Sequence, residues 1–278
     1  MSTTTQTSSA TQSSDYTAAR PSTTSKTPPA GQPKYNYREQ KVTVPLTDIR
    51  GNEAAYTLDK DSFSAHSNVP SAATYSTFDS DDTIRSVYYP EVTQFLLDKV
   101  PGAHKVILFD HTIRRQKEGS ARTPVSRAHV DQTPRAAADR VRLHVSDPEE
   151  AEALLAGRYR IINVWRPLGP EPVQSFPLAF ASAASVQESD LVPVQHRYPN
   201  RVGETMGVQY NPGQKWNYWS GMTGMKGCCS SVRIRRGWRM GVLRSGCHIR
   251  RLRMRGRRLE RGRGRVLKLG LWCLGREG

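Results

Sequence analysis

The sharpest chemical feature of the chain is the run Arg127-Ala128-His129-Val130-Asp131-Gln132-Thr133. On an extended strand, side chains two apart project to the same face, so His129 and Asp131 can converge on one point. An imidazole and a carboxylate are two of the three protein ligands in the facial set that binds non-haem Fe(II). The third is a distant histidine, and the open positions on the metal take a cosubstrate and dioxygen. The same two residues also fit a plainer reading, a surface histidine followed by an aspartate near the start of the next helix. Spacing alone leaves both readings open.

The other candidates are weaker. His111, in FDHTIR, reads as a structural histidine paired with Asp110 or a backbone group. His196, in VQHRYPNR, reads as exposed. His66, His104 and His144 have no partner at metal-site spacing. Arg127, Arg166 and Arg201 could each grip a carboxylate in bidentate fashion, with a structural salt bridge as the ordinary alternative. Trp216, Tyr218 and Trp219 could line an apolar pocket or simply fill a core. The sequence has no nucleophile elbow, no Gly-rich phosphate loop and no Cys/His zinc spacing.

Several elements must position these residues. VTVPL (Val42–Leu46) alternates like a short strand. Val92–Val100 reads as the end of a helix closed by Pro101-Gly102, and KVILF (Lys105–Phe109) as a buried strand. Thr133 can cap a helix with Pro134 at its first position. Asp147 can cap another that opens Pro148-Glu149-Glu150 and ends near Gly157, its early glutamates suiting a helix N-terminus. RIINVW (Arg160–Trp165), TMGVQY (Thr205–Tyr210) and KWNYW (Lys215–Trp219) are β-branched or aromatic runs. The last two are predicted to form a hairpin around Asn211-Pro212-Gly213. The pattern predicts a β-rich α+β core with helices packed outside.

The 278 residues carry a net charge of +16, with 36% hydrophobic residues. Such a charge would normally suggest an anionic partner, but it is unevenly placed. Seventeen of the 41 Lys and Arg lie between Gly224 and Gly278, against two acids, Glu260 and Glu277, so the rest of the chain is nearly neutral. All four cysteines, Cys228, Cys229, Cys247 and Cys273, lie in that tail as well, which excludes a disulfide scaffold or thiolate metal site in the body. Three segments follow. Residues 1–34 form a Ser/Thr/Pro-rich stretch with too few aliphatic side chains to offset ordering entropy, and are expected to be disordered. Residues 35–223 are globular in composition. Residues 224–278 are rich in Arg and Gly with no clean period. No apolar run approaches the roughly 18–20 residues of a membrane span, and the start lacks a secretory signal. The expectation is a cytoplasmic protein whose oligomeric state the sequence does not fix.

Taken in order, FDHTIRRQ (109–116), RAHVDQTP (127–134), GRYRIINVWRPLGP (157–170), DLVPVQHRYPNRVGET (190–205) and YNPGQKWNYWSGMT (210–223) closely resemble the AsaB-type hydroxylase/desaturase family of fungal natural-product pathways. This family is related to gibberellin desaturases and CmcJ-like proteins. The resemblance covers roughly Tyr35 to Thr223. It implies an Fe(II)- and 2-oxoglutarate-dependent oxygenase on a double-stranded β-helix, a cupin-like jelly roll with flanking helices. It also implies that His129 and Asp131 are iron ligands, and it makes Arg127, Asn163, Arg166 and Arg201 candidates to hold 2-oxoglutarate. The substrate implied is a small natural-product intermediate. Two other functions compete with this one: a non-catalytic pseudoenzyme on the same fold, or a nucleic-acid binder acting through the basic tail.

After Ser220-Gly221-Met222-Thr223 the sequence leaves the family pattern. The family continues with an apolar strand of the type VLLxKCxDS, then a Pro-His-Thr-x-Phe-Glu-Asp block that supplies the distal histidine; the basic tail stands in their place. Reading each codon from its third base into the first two bases of the next changes this. Gly246-Cys247 can then give Val, Cys247-His248 gives Pro or Ser, and His248-Ile249 gives His or Tyr. Ile249-Arg250 can give Thr. Past one variable position, Arg251-Leu252, Leu252-Arg253 and Arg253-Met254 permit Phe, Glu and Asp. Upstream, Gly227 to Arg235 permits Val-Leu-Leu-Lys-Cys-x-Asp-Ser. The tail is therefore read as a frame-shifted translation. The charge then says nothing about partners, nucleic acid is not an expected one, and the literal His248 is not the third ligand. The barrel is expected to be incomplete at its C-terminal end, with exposed strand edges, weak iron binding and little activity.

Overall fold

The computed structural model describes residues 3–10, 22–24, 36–37, 39–115, 127–169, 171–173, 177–199, 202–224, 226–234, 239–240, 242–245 and 265–275. The strands in the first half are β1 (Thr3–Ala10), β2 (Ser22–Thr24), β3 (Gln40–Asp48), β4 (Phe63–His66), β5 (Ala103–Arg115) and β6 (His129–Val130). Those in the second half are β7 (Arg158–Pro167), β8 (Leu178–Ala181), β9 (Leu191–Arg197), β10 (Val202–Val208) and β11 (Trp216–Tyr218), then β12 (Gly227–Ile234), β13 (Arg239–Met240), β14 (Val242–Ser245) and β15 (Arg265–Gly275). Four α-helical segments join them: α1 (Asp81–Thr83), α2 (Tyr89–Lys99), α3 (Pro134–His144) and α4 (Pro148–Ala156). A π turn over Ile84–Tyr88 links α1 to α2.

Two sheets make the body. One has nine strands in the order β1-β3-β11-β8-β14-β6-β10-β9-β2; the other runs β13-β12-β7-β15-β5, with β4 also on β12. The period-two alternation of β7 sorts its side chains between two environments. Trp165 points toward the nine-stranded sheet, where it packs with Phe63, Phe180, Trp219 and Cys228. The Phe63 and Phe180 rings stack at 4.9 Å. Ile162 and Val164 point the other way, onto Val92 and Leu96 of α2 together with Tyr88 and Cys229. Helices α3 and α4 cover Tyr159 and Ile161 through Ala137, Val141 and Ala151.

The caps read from the sequence form. Thr133 Oγ1 accepts the Ala136 N–H at 3.1 Å, and Asp147 Oδ1 accepts that of Glu149 at 3.0 Å. Gly102 takes the left-handed conformation, with φ +73°, just past α2. Other expectations are corrected. The Lys105–Phe109 run is a strand but only half-buried, because β5 ends its sheet. The two aromatic runs expected to form a hairpin do not pair. Strand β10 pairs with β6 and β9, whereas β11 lies parallel to β3 and antiparallel to β8. The turn itself forms, with Gly213 N–H donating to Asn211 Oδ1 at 2.9 Å. Gln214 Nε2, however, donates to Asp190 Oδ2 and the Gln209 carbonyl, which carries the chain onward to the far side of the sheet.

Both flanking segments contribute strands to the two sheets. Within the Ser/Thr-rich stretch, β1 runs antiparallel to β3 and β2 parallel to β9, at the two ends of the nine-stranded sheet. Edge strands present unpaired backbone groups that any extended segment can satisfy. In the basic tail, β12 and β15 flank β7 on either side. Ladder bonds are made by the main chain and do not require an apolar sequence.

One buried charge tests the packing. Arg160, with its side chain 2% exposed, donates to Asp59 Oδ1, which also accepts from Arg158 Nη2 at 2.9 Å. Its Nη1 has no partner among the described residues. Asp59→Ala strands this guanidinium and should cost about 1–3 kcal/mol, read as a lower urea midpoint. Asp59→Asn, which keeps an acceptor oxygen, should recover part of the loss.

Candidate metal centre

The register places His129 in the space between the sheets. Leu243 of β14 stands opposite both Phe180 of β8 and His129 of β6, so those two residues share a face. Val130, one residue on, points to the opposite face, fully buried among Ala179, Ala181, Met206 and Val208. Asp131 follows β6 and returns to the His129 side. His129 Nε2 lies 3.4 Å from Asp131 Oδ1, with the two side chains 16% and 19% exposed.

Each member of the pair is fixed by a second group. His129 Nδ1 lies 2.9 Å from the Arg127 carbonyl oxygen. A carbonyl only accepts, so this contact puts a proton on Nδ1, the arrangement in which Nε2 is the nitrogen that can serve a metal. Asn163, on the inward face of β7, donates from Nδ2 to Asp131 Oδ2 at 2.7 Å. That bond ties the second carboxylate oxygen to the opposite sheet and leaves Oδ1 beside the imidazole.

The donors fit a hard-to-borderline divalent cation. One neutral imidazole nitrogen and one carboxylate oxygen suit Fe(II). On an octahedral ion with bonds of about 2.1 Å, adjacent ligands stand about 3 Å apart, close to the separation seen here. Held tautomers and oriented carboxylates are the usual supports of such ligands. Among the described residues, no group of three His, Cys, Asp or Glu side chains is placed to hold a metal. His248 lies outside the described residues.

The remaining site candidates divide. Asn163 is brought to the pair, as just described. Arg127 shares the strand face of His129, but its guanidinium is engaged by the Tyr37 hydroxyl and by Glu39 Oε1 at 3.5 Å. Arg166, three residues from Asn163 on β7, points to the opposite face of the sheet and lies over the Tyr88 ring at 5.6 Å. Arg201 lies outside the described residues. Trp216 and Tyr218 belong to the core on the far side of the nine-stranded sheet, and Trp219 to the core between the sheets.

Two histidines depart from expectation. His196 is half-buried, not exposed: its Nε2 pairs with Thr205 Oγ1 at 2.9 Å across the β9–β10 ladder. Together with Asp131 and Thr205 it lines a cleft of about 200 Å³ against α3. His111 pairs with neither Asp110 nor a backbone group; its Nδ1 meets Tyr89 Oη at 2.8 Å and its Nε2 meets Asp81 at 3.1 Å. No local pattern could reveal either contact, since each joins elements set together only by the fold.

Burial lowers the pKa of His66, His144 and His196 below the ordinary 6.5, aided by the nearby cations Lys99, Arg140 and Arg127, respectively. Below pH 6.5 the unfolded chain therefore takes up protons that the folded chain refuses. Stability present above that pH is lost as pH falls toward the depressed values. The urea midpoint should drop between pH 7 and pH 5, and His144→Gln should flatten that slope. His144 Nε2 is buried without a partner among the described residues, as a neutral ring permits.

Residues 9–228 match a family profile described as an oxidoreductase/YMDC permease-like domain. The hydroxylase/desaturase poxK of Penicillium oxalicum is 34% identical over 221 residues, covering 70% of this chain and 67% of that protein. The hydroxylase/desaturase efuI of Hormonema carpetanum is 32% identical over 220 residues, covering 69% and 71%. The solved structure of the iron and alpha-ketoglutarate-dependent endoperoxidase NvfI superposes with a TM-score of 0.84 at 21% identity, covering 99% of each chain. The β-rich architecture with few helices is thus the NvfI fold. The profile, which spans most of the chain, defines an oxidoreductase domain. The chain belongs to the hydroxylase/desaturase family of fungal natural-product pathways that poxK and efuI represent, the family its sequence blocks resemble. Among the described residues no helix is long and apolar enough to cross a membrane.

Proposed function

We propose that this domain is an Fe(II)/2-oxoglutarate-dependent hydroxylase or desaturase of a small natural-product intermediate, with His129 and Asp131 as two of its iron ligands. The two sheets are then the halves of a double-stranded β-helix, and the domain works in the cytoplasm. The observation that carries the reading is the His129–Asp131 pair, held at 3.4 Å between the sheets with Asn163 bonded to the second carboxylate oxygen. Bound iron with 2-oxoglutarate and dioxygen supplies the oxidising power to break an unactivated C–H bond. The chain's own residues orient the ligands, and the surrounding sheets exclude water.

The tail enters the same proposal. Strand β14 places Leu243 opposite His129. Five residues later the chain reaches His248, whose codon falls in the shifted Pro-His-Thr block. The return of the chain beside His129 at β14, shortly before that block, supports a frame in which the block supplies the third ligand. Residues 35–223 are then the oxygenase body and residues 224–278 a frame-shifted tail. Sequencing the mature transcript through the codons for Tyr218–Gly278, against genomic DNA, tests this directly. A message in the shifted frame is the expected result. A message in the printed frame would remove the third ligand and favour a pseudoenzyme.

A further inference from the structure

Arg166 leaves a question that the metal centre does not absorb. It sits on the outward face of β7, where it lines a second cavity of about 520 Å³, bounded by α2, the Ser67–Pro70 segment and the start of β12. The cavity lies across the sheet from the metal pair: Asn163 points to Asp131, whereas its neighbour Val164 points into this cavity. Its volume is in the range of sites for small organic ligands. Val69, Pro70, Val92, Phe95 and Val164 supply the apolar wall.

Four charged side chains line it: Arg166, Lys99, Glu91 and Asp98. The two acids are engaged locally. Glu91 accepts from Ser71 Oγ and from the Ala72 N–H at 2.7 Å, and Asp98 accepts from Gln94 Nε2 at 2.7 Å. Among the described residues neither cation has a carboxylate partner. Arg166 lies over the buried Tyr88 ring, hydrogen-bonds the Tyr88 hydroxyl and donates to the Val69 carbonyl at 3.4 Å; of its five N–H donors the remainder are left for a ligand. Gly227 forms part of the wall, and a Cβ there would meet only the Trp165 carbonyl oxygen at 4.0 Å.

We propose that this cavity binds an amphipathic monocarboxylate, its hydrocarbon body against Val92, Phe95 and Val164 and its anionic head on Arg166 and Lys99. The site is separate from the iron pair and does not depend on the oxygenase reading. A dansyl-tagged undecanoic acid is a suitable probe, titrated into the full chain by dansyl fluorescence beside its neutral primary amide. The acid should bind saturably and about tenfold or more tighter than the amide, the expected size of one charge-assisted contact. Arg166→Gln and Lys99→Gln should each erase most of that preference. Gly227→Leu, which fills the cavity, should weaken acid and amide alike. Lys99 is exposed at the end of α2, so its variant keeps the test alive should Arg166→Gln fail to fold. Equal affinity for acid and amide, or indifference to both Lys99→Gln and Gly227→Leu, would overturn the proposal.

Discussion

Restoring the shifted frame through the codons for Gly224–Gly278 should raise Fe(II) affinity at least about 100-fold over the printed chain. The chain in its printed frame offers two oriented donors, His129 Nε2 and Asp131 Oδ1. No third His, Cys, Asp or Glu joins them among the described residues. His196 is near enough to feel His129 electrostatically, but it is spent on Thr205. Two ligands leave the ion largely hydrated, so little of its binding energy is gained. Removing even an outer-shell partner of a metal ligand typically costs 10–100-fold in affinity, and a missing first ligand costs at least as much. Titration of both forms with Fe(II) under anaerobic conditions measures the ratio directly. Equal affinities would mean that the shifted block does not reach the pair, whatever the transcript says. Succinate production from 2-oxoglutarate should appear only in the restored form.

The sequence made local features legible and left the pairing of distant ones hidden. The caps at Thr133 and Asp147 and the strand at Arg160–Trp165 depend on neighbours within a few residues, and all formed as read. The hairpin at Asn211-Pro212-Gly213 failed because a good turn fixes only the local bend. The partners of β11 were set by β3 and β8, far away in the chain. The same contrast runs through the site. His-x-Asp on a strand is legible by parity. That Asn163 would meet Asp131 while Arg166 would not also follows from parity on β7, but only once the inward face is known. Burial alone did not supply that face, because β7 is covered on both sides: Trp165 is as deeply buried as Val164. Strands covered on both faces lose the alternation that would mark their orientation.

Asp131→Ala in the frame-restored protein should abolish 2-oxoglutarate turnover, whereas Asn163→Ala should lower iron affinity about 10–100-fold and leave a working centre. The difference follows from what each side chain touches. Asp131 supplies a donor oxygen beside the imidazole; Asn163 reaches the metal only through the other oxygen of that carboxylate. Folding should respond in the opposite sense to a simple ligand count. Asn163 is 4% exposed, so Asp131→Ala strands its amide between the sheets. That should cost about 1–3 kcal/mol, visible as a lower urea midpoint without any metal present. Asp131→Asn separates the two roles. The new side chain still carries an oxygen to accept from Asn163 Nδ2, so stability should stay near that of the parent, but it no longer offers an anionic donor, so iron affinity should fall. A variant that kept both stability and iron affinity would show that Asp131 is held by Asn163 for packing alone, and that the iron lies elsewhere.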